Sequence, residues 1–266
     1  MKVFRNIPFV FFMYGQLPLL KEIDRKRESA KRAGDFEEER KQILEATSMW
    51  GENVVDKFRV DLRVSGRDNV PEGAVLFVGN HQGYGDIPLT CAAITNKQFG
   101  FIAKEQLSKI PKYGKWMSNI RSLFIKRDDA RASLRTVEKG IEYIKQGFSL
   151  IIYPEGTRAK GPVPGEFKKG TLRLATKPGV PIVPVTVSGS YHVFEEKGMI
   201  QKNQRVDIVI HPPIQTAGIS RKEESALYEK VENIIVGKLM ELNLEKGEIS
   251  EKEYKEYLRK KEQEKD

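Results

Sequence analysis

The chain has 266 residues, 39% hydrophobic and 31% charged, a composition that excludes wholesale disorder, a collagen-like repeat and a protein with several membrane spans. Its 46 basic residues outnumber the 37 acidic ones, which indicates an anionic partner such as nucleic acid, an anionic membrane surface or a phosphorylated substrate. A single cysteine, Cys91, excludes an internal disulfide and any site built from several cysteines. With only three scattered histidines beside it, the sequence predicts no metal site and no bound cofactor.

Residues 1–50 predict a helical segment that docks on a membrane. Lys2 and Arg5 precede an aromatic, apolar run over residues 7–20. This run is too short to cross the hydrocarbon core, which takes roughly 20 residues, and no small-residue cleavage site follows it. We expect it to lie in the membrane interface, with a charged helix from Lys21 to about Thr47 folding back over it. The alternative is an N-terminal helix packed on the protein's own core.

From residue 51 onwards, short apolar runs alternate with amphipathic helical patterns. This alternation is typical of an α/β domain with a mostly parallel, twisted sheet flanked by helices. An alternating run over Phe58–Val64 predicts an edge strand. Six continuous apolar runs predict strands buried on both faces: Ala74–Val78, Phe99–Ala103, Leu123–Ile125, Phe148–Tyr153, Ile182–Val187 and Val206–Ile210.

Apolar residues at helical spacing predict two long helices, over 134–144 and over 227–242. The first would be opened by Asp128 and Asp129 and closed by Gly147. We place the α/β domain at residues 51–245, and a charged helix or tail at residues 246–266.

His81 and Asp86 are the first candidates for catalysis. They lie in the segment GNHQGYGDIP, directly after the predicted strand 74–78, and ligands gather at such strand ends in open α/β sheets. Gly83 and Gly85 let the chain turn sharply, which would bring the carboxylate back to the imidazole. The resulting dyad would fix the tautomer and leave one ring nitrogen basic. The alternative is that Asp86 caps a helix starting at Ile87.

Other strand ends deliver cationic groups to the same expected edge. Lys104 follows the strand 99–103, and Lys126 with Arg127 closes the strand 123–125. The turn Pro154–Arg158 (PEGTR) follows another strand and offers backbone N–H groups, a hydroxyl and a guanidinium. All of these groups suit a phosphate.

Four blocks follow one another along the chain: Asn80–Asp86 (NHQGYGD), Phe124–Arg127 (FIKR), Pro154–Arg158 (PEGTR) and Val180–Pro184 (VPIVP). In this order they resemble the glycerolipid acyltransferase superfamily, and within it the 1-acyl-sn-glycerol-3-phosphate (lysophosphatidic acid) acyltransferases. The resemblance covers approximately residues 55–215. Three departures stand out: Gly83 where the family usually has Ser, Arg121 or Ser122 in place of a Gly, and Ala159 in place of a Ser.

The resemblance implies transfer of an acyl group from an acyl thioester to the sn-2 hydroxyl of lysophosphatidic acid, giving phosphatidic acid. The thioester would be acyl-CoA or acyl-acyl carrier protein, used as a co-substrate. His81 would act as general base and Asp86 as its orienting partner, so that the hydroxyl attacks directly and no enzyme nucleophile is needed. Cys91 lies in an apolar stretch and is expected to be a buried core thiol.

The resemblance also implies a set of residues that bind the acceptor phosphate: Lys104, Arg127, Glu155, Gly156, Thr157 and Arg158. Glu155 would orient the cations, and Gly156 and Thr157 would donate from backbone and hydroxyl. The expected location is the cytoplasmic face of the cell membrane, as a peripheral or monotopic protein, since no cleavable signal is present and the substrates are lipids.

Two rival functions remain open at this point. The first is an acyltransferase that uses glycerol 3-phosphate or another lysolipid as acceptor. The second is a basic nucleic-acid- or membrane-binding protein without enzymatic activity. A nucleic-acid partner is not expected, because the chain carries no recognisable recognition motif and this function leaves His81, Asp86 and the PEGTR turn without a role.

Overall fold

A helical hairpin precedes the sheet in the computed structural model, which describes residues 12, 15–16, 18–126, 129–168 and 170–263. Its helices are α1 (Lys21–Ala33) and α2 (Phe36–Phe58). The single helix expected over 21–47 is wrong, because Gly34 in a left-handed conformation ends α1 and the Asp35 side chain caps α2 by accepting from the Glu38 N–H. Most of the aromatic run 7–20, with its predicted membrane contact, lies outside the described residues.

A sheet of seven strands forms the centre of the molecule. The strands are β1 (Asp61–Ser65), β2 (Leu76–Gly79), β3 (Phe99–Lys104), β4 (Leu123–Ile125), β5 (Ser149–Ile152), β6 (Ile182–Ser188) and β7 (Arg205–Ile210). Their order is β1-β7-β6-β2-β5-β3-β4, and every neighbouring pair is parallel except β6 and β7. The predicted mostly parallel sheet is confirmed. The strand expected from Phe58 starts only at Asp61, because α2 continues to Phe58 and crosses the expected domain boundary at residues 50/51.

In the part of the chain that the structure describes, six further helices flank the sheet or follow it. They are α3 (Asp86–Ala93), α4 (Tyr113–Asn119), α5 (Ala130–Lys145), α6 (Arg173–Thr176), α7 (Arg221–Glu245) and α8 (Glu251–Gln263). Helices α5 and α7 confirm the two predicted long helices, and Asp129 caps α5 as expected, by accepting from the Ala132 N–H over 2.9 Å. Within the described part of the chain, no helix is both long and apolar enough to cross a membrane.

Apolar side chains fill both faces of the sheet, which explains why its strands are continuous apolar runs. Along β2, Phe77 packs into the core beneath α2 and α3, whereas Leu76 and Val78 pack into the core beneath α5 and α7. This alternation follows from the two-residue period of a strand. The sheet is therefore a middle layer between two layers of helices.

The hairpin packs directly on the α/β core. A Cβ at Gly51 of α2 would overlap with the backbone of Pro88 and Ala92 in α3, so only glycine allows the two helices to approach so closely. A buried ion pair adds a second attachment: Arg121, just before β4, donates Nε and Nη2 to the two carboxylate oxygens of Glu39 in α2, over 2.8 and 2.5 Å. Helix α2 thus supports α3, the helix that begins with Asp86.

Candidate active site

Polar side chains converge at the edge of the sheet where the parallel strands end. Strands β2 to β6 run in the same direction, so their carboxyl ends share one edge. His81 follows β2, Glu155 follows β5 and Ser190 follows β6, while Lys104 is the last residue of β3. Because His81, Glu155 and Lys104 each follow a predicted strand, their placement at a common edge was predicted from the sequence.

The predicted contact between His81 and Asp86 is present. The His81 Nδ1 lies 2.6 Å from Asp86 Oδ2, and the Asp86 side chain is fully buried. Asp86 Oδ2 also accepts the backbone N–H groups of Gln82 and Gly83, over 2.7 and 3.0 Å. The capping alternative is wrong: Gly85 occupies the N-cap position of α3, and Asp86 is the first helical residue. The loop 82–85 therefore curls around the carboxylate and points it back at the imidazole.

The Asn80 and Gln82 side chains attach this loop to β6 and the turn after it. The Asn80 amide exchanges two hydrogen bonds of 2.8 Å with the backbone of Val187, as another strand would. The Gln82 Oε1 accepts the N–H groups of Gly189 and Ser190 over 2.9 and 3.2 Å. These bonds explain why two amide side chains flank the histidine.

Ser190 holds the second oxygen of the Asp86 carboxylate. Its hydroxyl donates a short hydrogen bond to Asp86 Oδ1, and its side chain is fully buried. The sequence reasoning missed this residue. A signal was available, because Ser190 follows the predicted strand 182–187 just as His81 follows the predicted strand 74–78.

The imidazole of His81 is fixed on one face and accessible elsewhere. Its ring stacks on Tyr153 with centroids 4.6 Å apart, and 18% of the His81 side chain remains exposed. Burial, with the charge of Asp86 nearby, raises the pKa of Tyr153 well above its usual value, so the phenol stays neutral. Its hydroxyl lies 3.2 Å from that of Thr90. Tyr153 is thus an uncharged platform for the histidine ring.

Glu155 has a different role from the one expected. Its Oε1 accepts the backbone N–H of His81 over 2.6 Å, and its Oε2 accepts the N–H of Gly165 over 2.7 Å. Burial raises the pKa of this carboxyl to about 7, although both N–H groups favour its charged form. For Arg158 the predicted orienting role of Glu155 is wrong, because Arg158 donates to Glu195 and the Glu155 oxygens accept the backbone N–H groups of His81 and Gly165.

The other predicted phosphate ligands differ in whether the structure leaves them available to a ligand. Gly156 adopts a positive φ of 66° and its N–H donates to the Tyr153 carbonyl over 3.0 Å, so this N–H closes the turn and does not face a ligand as expected. Thr157 and Lys104 are exposed at the carboxyl edge. Arg127 lies outside the described residues.

Arg158 lies beside the histidine loop. The N–H of the next residue, Ala159, donates to the His81 carbonyl over 2.8 Å. The Arg158 Nη1 donates to Glu195 Oε1 over 2.7 Å, and the guanidinium carbon lies 3.6 Å from the centre of the Tyr84 ring. No pattern in the sequence indicates Glu195, which occurs in the charged stretch EEKG and resembles an ordinary surface residue.

Cys91 is a core residue, as predicted. Its side chain is fully buried in α3, and burial raises the pKa of the thiol far above its usual value. A protonated thiol without access to the carboxyl edge does not act as a nucleophile.

Comparison with known proteins adds independent information. Residues 61–188, which contain all four sequence blocks, match the family described as Acyltransferase. The chloroplastic 1-acyl-sn-glycerol-3-phosphate acyltransferase BAT2 of Brassica napus is 34% identical over 57% of this chain, which spans only 44% of that longer protein. The 1-acyl-sn-glycerol-3-phosphate acyltransferase of Borreliella burgdorferi is 30% identical over 68% of this chain and 72% of its own length.

A solved structure is similar to this chain over most of its length. The crystal structure of the 1-acyl-sn-glycerophosphate acyltransferase PlsC from Thermotoga maritima is 29% identical, with a TM-score of 0.71 over 91% of this chain and 98% of that one. The match to the Borreliella burgdorferi enzyme covers more than two thirds of both chains. The chain therefore belongs to the 1-acyl-sn-glycerol-3-phosphate acyltransferase family.

Proposed function

We propose that the protein transfers an acyl group from an acyl thioester to the sn-2 hydroxyl of 1-acylglycerol 3-phosphate and releases phosphatidic acid. The observation that carries the proposal is the His81–Asp86 contact of 2.6 Å at the carboxyl edge, with Arg158 on the adjoining turn. The names of the relatives, which are acyltransferases for this acceptor, support the same reaction.

His81 acts as the general base. Asp86 Oδ2 accepts two backbone N–H bonds, so it is also the acceptor in its hydrogen bond with His81. The donor in that bond is His81 Nδ1, which carries the proton. The other ring nitrogen, Nε2, is then unprotonated and takes the proton of the acceptor hydroxyl. The hydroxyl oxygen attacks the thioester carbonyl carbon, the C–S bond breaks, and the departing sulfur takes the proton from His81. Such proton transfer typically contributes ~10²–10⁴-fold to the rate.

Arg158 is the phosphate ligand that the geometry supports best. Its side chain is 23% exposed beside the histidine loop, and a guanidinium suits the paired oxygens of a phosphate monoester. Lys104, at the end of β3, and Arg127 complete the proposed cationic set. Glu155 and Gly156 contribute indirectly, by shaping the turn that carries Arg158.

Both the acceptor and the product are lipids, so the protein works at a membrane surface. The net charge of +9 favours an anionic leaflet, at about 1 kcal/mol per basic residue near the surface. The aromatic N-terminal segment remains the proposed docking element, and the cytoplasmic face remains the proposed side of the membrane.

The deciding experiment is an assay of the purified protein in mixed micelles. Acyl-CoA and acyl-acyl carrier protein are each paired with lysophosphatidate, glycerol 3-phosphate and lysophosphatidylcholine, and the products are identified by mass spectrometry. We expect phosphatidic acid from lysophosphatidate at the highest kcat/KM. A preference for another acceptor would identify the first rival function. Absence of transfer with both donors, with nucleic-acid binding that weakens steeply in salt, would favour the non-enzymatic rival.

A further inference from the structure

Glu195 connects Arg158 to the histidine loop at a single oxygen atom. Its Oε1 accepts from Arg158 Nη1 and from the Tyr84 backbone N–H, both over 2.7 Å. The ring of the same Tyr84 lies against the guanidinium, and it forms a T-shaped contact with the Phe194 ring, with centroids 5.5 Å apart. Tyr84 occurs between His81 and Asp86, so one carboxylate holds both the cation and the catalytic loop.

The second oxygen of the Glu195 carboxylate, Oε2, is destabilising where it lies. The Glu195 side chain is only 2% exposed, and its Oε2 is buried without a hydrogen-bond partner among the described residues. This oxygen lies against Gly83, where a Cβ would overlap with it. A half-satisfied buried carboxylate reduces stability, which indicates that its position serves another purpose.

We propose that Glu195 is a positioning residue for Arg158, and that Gly83 leaves the space that the Glu195 carboxylate needs. This inference rests on the proposed function, in which Arg158 binds the acceptor phosphate. Glu195 uses one donor of the guanidinium and the Tyr84 ring covers one face, so the remaining donors are left for the phosphate. A guanidinium already held in one orientation loses less side-chain entropy on binding.

The first test compares steady-state kinetics of wild type, E195A and E195Q. We expect E195A to raise the KM for lysophosphatidate about tenfold while kcat and the KM for the acyl donor change less than about twofold. E195Q keeps an oxygen that can accept from Arg158 and Tyr84, so its KM should rise only about twofold to threefold. E196Q is the matched control, because Glu196 is the next residue and contacts His192 instead. Thermal unfolding of each variant verifies that it is folded.

Coupling to Arg158 separates positioning from a general structural role. In an R158A background, E195A should change the acceptor KM by less than about twofold, because its effect passes through the guanidinium. An unchanged or lower acceptor KM in E195A would overturn the inference. The inference would also be overturned if the double variant raised the acceptor KM by the product of the two single-variant factors. Absence of turnover by the wild type with lysophosphatidate would instead contradict the proposed function, and this is seen before any variant is made.

Substitution of Gly83 tests the inference while Glu195 is retained. G83A should raise the acceptor KM about as much as E195A, because the new Cβ would overlap with Oε2 of Glu195 and displace the carboxylate from Arg158. In the E195A background G83A should add little. G161A is the control, since a Cβ at Gly161 meets nothing within 4 Å. A G83A protein with the wild-type KM would contradict the pairing, even where E195A failed to fold.

Discussion

Arginine and glutamate pair in two regions of the molecule, and the two pairs differ in how completely they are satisfied. At the hairpin interface, Arg121 donates to both oxygens of Glu39, and its guanidinium carbon lies 4.4 Å from the centre of the Phe148 ring. At the carboxyl edge, Arg158 donates to one oxygen of Glu195 and lies over Tyr84. The exposed fraction of the arginine side chain is 9% in the first pair and 23% in the second.

The difference between the two pairs distinguishes an ion pair that joins two structural elements from one that is placed to meet a ligand. A buried pair with both carboxylate oxygens bonded holds two elements together and leaves nothing for a ligand, as Glu39 and Arg121 hold α2 to the segment before β4. A pair at an open edge, with one oxygen unbonded and unused guanidinium donors, is less stabilising but can meet a third group. We therefore expect changes at the interface to alter stability and changes at the edge to alter kinetics.

The largest effect at the carboxyl edge should come from His81→Ala. Removing the proposed base should lower kcat by about 10³-fold or more, because an alkyl hydroxyl is a poor nucleophile without proton transfer. The fold should persist, since Asp86 keeps the bonds from Gln82, Gly83 and Ser190. Single-turnover rates and chemical denaturation measure the two properties separately.

Cys91→Ala is the control for this prediction. It removes the alternative nucleophile in the described α/β core and should leave kcat within about twofold, because the thiol is buried away from the edge. Near-normal turnover in His81→Ala would remove the histidine from the mechanism, and loss of turnover in Cys91→Ala would support an acyl-enzyme route.

At the hairpin interface, Arg121→Met should lower the free energy of unfolding by about 3–5 kcal/mol, because Glu39 is left buried and without its main partner. The remaining cation, Arg27, lies 3.9 Å from Glu39 through Nη1. The kinetic constants of the protein that stays folded should remain near those of wild type. Denaturant unfolding and steady-state kinetics at low temperature measure both.

Arg25→Met is the matched control, since its partner Glu22 is exposed and such pairs contribute about 0–1 kcal/mol. Equal destabilisation by the two substitutions would show that the interface pair is no more important than a surface pair. A large rise in the acceptor KM of Arg121→Met would show that the two regions are not separate.

The same comparison explains what could be predicted from the sequence. The buried strands are continuous apolar runs, so their positions and the edge carrying His81 could be predicted. The His81–Asp86 contact is local, and the glycines around it indicated the turn.

The pairs between distant elements could not be predicted in this way. Glu39 and Arg121 are 82 residues apart, and Arg158 and Glu195 are 37 apart, in stretches whose composition is that of a solvated surface. Glu155 was assigned to the cations for the same reason, because its real partners are backbone N–H groups that no side-chain pattern marks. Packing decides which charges become buried, and a charge pattern alone does not.

The carboxyl edge should also differ from the interface in how stability depends on pH. Burial raises the pKa of Glu155 to about 7 from an ordinary 4.5, so the unfolded chain releases this proton at lower pH than the folded protein. The contribution of Glu155 to stability is thus present in full below pH 4.5 and is lost as pH rises to about 7.

Glu155→Gln cannot release this proton. The stability of wild type relative to Glu155→Gln should therefore fall by about 3 kcal/mol between pH 4.5 and pH 7, at about 1.36 kcal/mol per pH unit. Denaturant unfolding at several pH values gives the difference. A difference that is constant over this range, or that grows with pH, would mean that Glu155 is charged in the folded protein well below pH 7.

The smallest effect should come from Ser190→Ala, which removes one bond to Asp86 and leaves the others in place. Asp86 Oδ1 loses its hydroxyl donor, while Oδ2 keeps His81 and two backbone N–H groups. We expect kcat to fall about tenfold, with little change in either KM, because the carboxylate orients the imidazole less firmly but the proposed phosphate ligands are untouched. Ser118→Ala deletes the same group where its hydroxyl only bonds the Gly114 carbonyl within α4, and it should leave kcat unchanged. Ser190 belongs to the catalytic edge if kcat falls in its variant alone, and it is an ordinary buried serine if the variant loses stability at unchanged kcat.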